Sequence, residues 1–264
     1  MGFNLTPVVR NLLLINVLIF VLQYFMRLDL VNWLGMRYFL AATFAPYQLI
    51  THMFVHANFS HLLSNMLGLF VFGPMLEHFW GSKRFFIFYM ICGVGAGLLY
   101  SGVNFYEIYT LGQAADTYIS SPSPEALDAF FRDHARIYEG EYLSFINEFH
   151  NQPDNGSLIK DSKLLVRSIY DIQSNIPMVG ASGAIFGILM AFGLLFPNTV
   201  LMLLFPPIPI KAKFMVAFYG IYAFFGAIQN QPGDNVAHYA HLGGMLIAFI
   251  LIKFIWQNDR NRFY

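Results

Sequence analysis

Gly180-Ala181-Ser182-Gly183-Ala184-Ile185-Phe186-Gly187 puts one serine among small residues at the mouth of an apolar, helix-forming run. A serine there is expected as a helix cap, its hydroxyl holding an amide that the first turn leaves without a partner. Two other stretches give it a second reading. Ala240-His241-Leu242-Gly243-Gly244 opens another apolar run downstream, and His56-Ala57-Asn58-Phe59-Ser60-His61-Leu62-Leu63-Ser64-Asn65 leads a third upstream. Serine, histidine and amide groups recur at the ends of segments composed for lipid.

Of 264 residues, 57% are hydrophobic and 11% charged, with 29 Phe. A soluble domain carries about a quarter charged residues, so this composition is that of a membrane protein. The net charge of zero gives no electrostatic case for nucleic acid. The single cysteine, Cys92, excludes an internal disulfide and says nothing of redox compartment. Arg10 followed by a long apolar run without a small-residue cleavage site does not read as a cleavable signal peptide.

A spanning helix needs about 20 mostly apolar residues. Residues 11–27, 62–80, 84–103, 212–229 and 237–256 meet that, and 181–196 is shorter, stopped at Phe196-Pro197-Asn198. The expected fold is therefore an all-α membrane protein of six helices, the short one starting inside the bilayer. Trp33 to Phe54, half apolar and broken by Pro46, reads as a loop lying in the interface, or as a re-entrant helix.

Residues 104–176, between the third and fourth helices, hold 11 of the 15 acidic and 5 of the 15 basic residues. Ser121-Pro122-Ser123-Pro124-Glu125 is a helix entry. Leu127, Phe130, Phe131, Ile137, Leu143, Ile146 and Phe149 then recur at roughly helical spacing. A turn at 151–157 precedes a further helix, Leu158 to Ile172. The expected organisation is a core half at 1–103, a helical extramembrane insertion at 104–176 and a second core half at 177–264. Arg10, Lys83, Arg84, Lys211, Lys213, Lys253, Arg260 and Arg262 fall on one side of a six-helix path, against Arg27 and Arg37 opposite. Both termini are then cytoplasmic and the insertion faces outward. Short tails and sparse cysteine favour a bacterial inner membrane over an organelle.

Polar side chains inside spanning segments are costly and mark sites. His61 and Asn65, four apart, share a helix face, and both can donate to a developing negative charge. His241, Gly244 and Ala248 also share a face, pairing a histidine with small residues. Ser182, Gly183 and Gly187 offer a matching small surface, and small residues let membrane helices approach closely. That approach would bring Ser182 Oγ within reach of His241. A neutral His241 can accept the serine proton and later return it to a leaving amine. The Ser182 backbone amide, His61 and Asn65 are the donors available to an oxyanion. Asp234 precedes the His241 helix and Glu77 lies near the opposite face, so a Ser–His dyad is expected rather than a triad.

These residues resemble the rhomboid intramembrane serine proteases over nearly everything except the insertion. Gly180-Ala181-Ser182-Gly183 resembles the family's nucleophile motif, and His241 with Gly244 its catalytic-histidine motif. His56, His61 and Asn65 are similar to the second-helix pattern, whose later His and Asn serve the oxyanion. Gly73-x3-Glu77-x3-Gly81 resembles a further signature. The resemblance implies hydrolysis of peptide bonds in or beside transmembrane segments of membrane-protein substrates, without cofactor or metal, in a wet pocket open to the outer face. It also implies a cap over the pocket at Gln229 to Asn235, and a ring at Phe186 stacked on His241. The adjacent Trp-Arg pair of the first outer loop is replaced by separated Trp33 and Arg37, and the insertion exceeds the usual short loop. It could gate access, select substrates or bind a partner.

Among plainer roles, His52 and His56 are expected to tie the first outer loop, His238 and His78 to sit at interfaces, and Glu77 to act as a structural cap. A metal site on His52, His56 and His61 lacks an adjacent acid for hydrolysis. A catalytically silent relative that binds membrane proteins would be expected to have lost the serine or histidine, and both are present. A transporter would show an inverted pair of broken helices, and none is visible.

Overall fold

The computed structural model describes residues 5–202, 207–229 and 237–256, with the side chain of Ile137 outside that description. The loop expected as a cap at Gln229 to Asn235 lies outside it except for Gln229, as do Asp234, Arg260 and Arg262.

Pro7 opens α1 (Pro7–Phe25), where a proline costs no hydrogen bond. The two amides that follow, Val8 and Val9, donate to Glu77 Oε1 at 3.0 Å and Oε2 at 2.9 Å. Glu77 belongs to α4 (Phe59–Trp80), which starts under an Asn58 cap whose side chain accepts from the His61 amide. Ser82, at the head of α5 (Ser82–Ser120), donates to the same carboxylate at 2.6 Å. Glu77 thus caps one helix and fastens two others at one end of the bundle, where its negative charge meets the positive end of the α1 dipole. At that end Trp80, Phe88 and Trp256 pack their rings together, with the Arg84 guanidinium 4.0 Å from the Trp256 ring.

α5 (Ser82–Ser120) corrects the expectation that the third helix ends at residue 103: it runs 39 residues without a break. Gly102 and Gly112 lie in its path, but no proline does, and glycine lowers helix propensity by only about 1 kcal/mol. Ser123 then caps α6 (Pro124–His134), its hydroxyl accepting from the Ala126 amide. α7 (Arg136–Asn151) and α8 (Gly156–Ser174, capped by Asn155) follow. These helices and the outer half of α5 share a separate core, in which Leu127, Phe131, Phe149 and Val166 are fully buried. Leu143, expected on the apolar face, is instead half exposed.

The first outer segment carries short helices α2 (Leu30–Leu34) and α3 (Gln48–Thr51) and a 3-10 turn, His52–Phe54. It is knit by polar contacts. The buried Gln48 amide donates to the carbonyls of Thr43 and Trp33, and Thr51 Oγ1 to that of Leu34.

α9 (Ser182–Leu195) is apolar but short, about 21 Å at 1.5 Å per residue. Most of its residues are buried, against α4, α5, α10 (Ala212–Gln229) and α11 (His238–Ile250). It is the centre of the bundle. Among the described residues, five other helices are long and apolar enough to cross a membrane: α1, α4, α5, α10, and α11 with its π-helical extension to Ile255. The protein is an integral membrane protein. Between α9 and α10 lies a small antiparallel pair not anticipated from sequence, β1 (Val200–Met202) with β2 (Pro209–Lys211). Leu201 and Ile210 pack on the core while Val200 and Met202 are exposed.

Candidate active site

Ser182 is the first residue of α9, and Ala181 occupies the cap position without a side-chain bond. The capping role expected for Ser182 is therefore not the one it plays. Its amide is instead among the first-turn N–H groups that no helical carbonyl can reach. Gly180 precedes it at φ +116°, a conformation that favours glycine. A Cβ there would lie 2.5 Å from the His61 ring and 3.5 Å from Asn65 Nδ2, so glycine is required for space as well. His61 and Asn65 thus close on the backbone two residues before the serine. Asn65 is buried, and its Nδ2 is a donor with no hydrogen-bond partner among the described residues. A buried unpaired donor costs about 1–3 kcal/mol and survives where function uses it.

The approach of α11 to α9 is made by glycines. A Cβ on Gly183 would touch the Ala240 carbonyl at 3.5 Å, and one on Gly187 the Gly244 carbonyl at 3.3 Å. A Cβ on Gly244 would fall on the Gly183 carbonyl itself. The backbones meet where Gly183 follows Ser182 and Ala240 precedes His241. One turn beyond the serine, Phe186 stacks on the His241 imidazole, centroids 4.0 Å apart and planes within 6°. His241 is buried; Ser182 is half-buried beside a small cavity that also touches His52, Met178, Gly180 and Ala240.

His52 and His56 both lie in the segment before α4. His52 Nδ1 is 2.8 Å from the Gln48 carbonyl, and its own carbonyl accepts from the Gly180 amide at 2.8 Å. The His56 ring is buried edge-on against His61, centroids 5.1 Å apart, and its carbonyl accepts from Gln23. Burial holds His52 down to about 4 and His56 to about 3, the neighbouring His61 adding to the second shift. Both rings are neutral at physiological pH. The rings face different neighbours, His52 turning to Gln48 and Gly97 while His56 meets His61.

His238 corrects a sequence expectation. It is buried rather than interfacial, against Gly226 and the Tyr222 ring of α10, with its centroid 6.0 Å from that of His241. The spacing of three from His241 was a readable signal. Arg37, which the sequence marks only as a loop cation and as the separated partner of Trp33, is buried at the junction between the segment before α4 and the end of α8.

A bundle of long apolar helices around a short central one, with serine, histidine and amide groups at its head, defines a polytopic membrane protein with an internal polar site. The family profile described as Rhomboid domain matches residues 43–116 and 160–258. The chain belongs to the rhomboid family. Rhomboid-like protein 11, chloroplastic, of Arabidopsis thaliana is 42% identical over 55 residues, 21% of this chain and 20% of the relative. RHOMBOID-like protein 12, mitochondrial, of the same plant is 26% identical over 204 residues, 76% of this chain and 44% of the relative. The Bacillus subtilis (strain 168) rhomboid protein YdcA is 42% identical over 48 residues, 18% of this chain and 24% of the relative. The chain spans less than half the length of each. Names from chloroplast and mitochondrion give no support to the expected bacterial inner membrane; they agree only on a rhomboid-like protein.

Proposed function

We propose that the protein is an intramembrane serine endopeptidase acting on peptide bonds in or next to transmembrane segments of membrane proteins. Ser182 is the nucleophile and His241 its base. The Ser182 hydroxyl gives its proton to His241 as its oxygen attacks the scissile carbonyl. The oxyanion so formed is met by the Ser182 amide and the side chains of His61 and Asn65. Collapse of the intermediate expels an amine, which takes the proton back from His241 and leaves an acyl-serine. Water, deprotonated by the same histidine, then releases the acid and restores the serine.

The observation that carries this reading is the Phe186–His241 stack on glycine-packed helices, which fixes the imidazole on the face of α9 that bears the serine. The absence of a carboxylate role in the mechanism is met by that stack, since the ring is oriented by packing. The six helices are read as a bundle with both termini cytoplasmic and the site open to the outer face. Residues 104–176 form the extramembrane insertion between the core halves 1–103 and 177–264, and are read as selecting what reaches the site.

Purified protein should cleave a single-span reporter, and Ser182→Ala and His241→Ala should each abolish cleavage while keeping the parent's thermal midpoint. Cleavage by either variant at the parent rate would remove the dyad. A parent that binds the reporter without cutting it would favour the silent, membrane-protein-binding relative.

A further inference from the structure

The second half of α5 with α6, α7 and α8 forms a lobe around its own core; its last helix is α8, and only residues 175–181 separate it from Ser182. That short run is fastened to the first outer segment at three points. Met36 and Met178 exchange both backbone hydrogen bonds at 2.8 Å. The Gly180 amide donates to the His52 carbonyl at 2.8 Å. The third tie is made by side chains. Arg37 Nη1 donates to the Asn175 carbonyl, while Thr43 Oγ1 donates to Asn175 Oδ1 at 3.2 Å. Through Nη2 the same guanidinium holds Asn32 of α2, its carbonyl at 3.2 Å and its Oδ1 at 2.7 Å.

Two features set Arg37 apart from the backbone ties. It is a buried cation, and among the described residues no carboxylate lies within ion-pair distance of it. Its charge is spent on neutral oxygens from two separate elements, which a planar fork can bridge and a lysine ammonium cannot hold in the same geometry. It also stands where α8 passes into the run that leads, through the backbone ties at Met178 and Gly180, to Ser182. Its contacts all lie in the outer segments, away from the glycine-packed helices that hold the bundle together.

We propose that Arg37 is a positioning residue for the nucleophile: by clamping Asn175 to Asn32 it fixes where the chain leaves the lobe, and so the aim of the Ser182 hydroxyl and amide. The proposal rests on the reading of Ser182 as nucleophile. It also makes the lobe and the site mechanically continuous, since whatever shifts α8 shifts the residue that Arg37 holds.

The test uses the full chain with Arg37→Gln, Arg37→Lys and Ser182→Ala. Three quantities are read: the rate at which a fluorophosphonate labels Ser182, kcat and KM on a single-span reporter, and the thermal midpoint. Misplacement by a fraction of an ångström is costly to an oriented reaction. Arg37→Gln is therefore expected to lower labelling and kcat together by about tenfold or more, with KM held within about twofold. Arg37→Lys, which keeps the charge and one of the two anchors, should fall between parent and Arg37→Gln. Parent rates in both variants would overturn the proposal, as would losses that only follow the unfolded fraction. If Arg37→Gln does not fold, Arg37→Lys decides on the same readouts. A parent that neither labels nor cleaves would instead sink the nucleophile assignment, and the positioning role of Arg37 with it.

Discussion

Asn65 sits in the interior of a helix bundle with no partner for its Nδ2 donor among the described residues, close to the backbone that leads into Ser182. A side chain there for stability alone would be better replaced by an apolar one of like volume. In the proposed mechanism its value lies in a charge that exists only during reaction. Loss of one oxyanion donor costs about 10²–10³ in kcat where it acts with few others. With His61 and the Ser182 amide still in place, Asn65→Ala should slow kcat by up to about a hundredfold without abolishing it. KM should hardly move, which reporter kinetics will show; an unchanged kcat would remove Asn65 from the oxyanion site. His61 and Asn65 were legible because their chemistry and spacing travel together, one turn apart on a helix face; the Phe186 stack was legible only through the family resemblance. Arg37 was not legible, because its partner is a backbone carbonyl 138 positions away, and any residue has a carbonyl.

Helix contacts decide whether those residues meet. Gly244 has no room for a methyl group, since a Cβ would fall on the Gly183 carbonyl. Gly244→Ala must push α11 off α9. Overpacking of this sort costs about 1–3 kcal/mol, and here it also separates His241 from Ser182. The variant should show a lowered thermal midpoint and a disproportionate loss of cleavage. Gly102→Ala is the control: nothing lies within 4 Å of that Cβ, and in a helix interior alanine should stabilise by up to about 1 kcal/mol. Parent-like cleavage by Gly244→Ala would show that the helices can yield. At this scale the apolar periods marked each long helix in the sequence, but not all their ends. α5 was stopped at residue 103 because its composition turns polar there; a helix leaving the bilayer changes solvent, not backbone. The β1–β2 pair escaped notice because strands of three residues have no period to read.

Across the whole molecule, the family profile matches residues 43–116 and 160–258, and α6 and α7, proposed as part of an insertion, fall between the two stretches. Their apolar faces are nonetheless buried against α5 and α8. Replacing residues 121–155 with a flexible linker should therefore leave Ser182 open to fluorophosphonate labelling while altering which single-span reporters are cleaved. Loss of labelling together with loss of folding would make the lobe structural; an unchanged reporter profile would strip it of a role in selection.

α5 gives that lobe its mechanics. Thirty-nine residues at 1.5 Å each make a rod of about 58 Å, against a hydrocarbon layer of about 30 Å. The same rod carries Gly93 and Ala96 against α9 and, about four-fifths of the way along, Gly112 against Tyr170 of α8. It is a beam with its fulcrum beside the serine. A load applied to the outer lobe would be felt as torque at the helix contact that holds Ser182, rather than being lost in a slack tether.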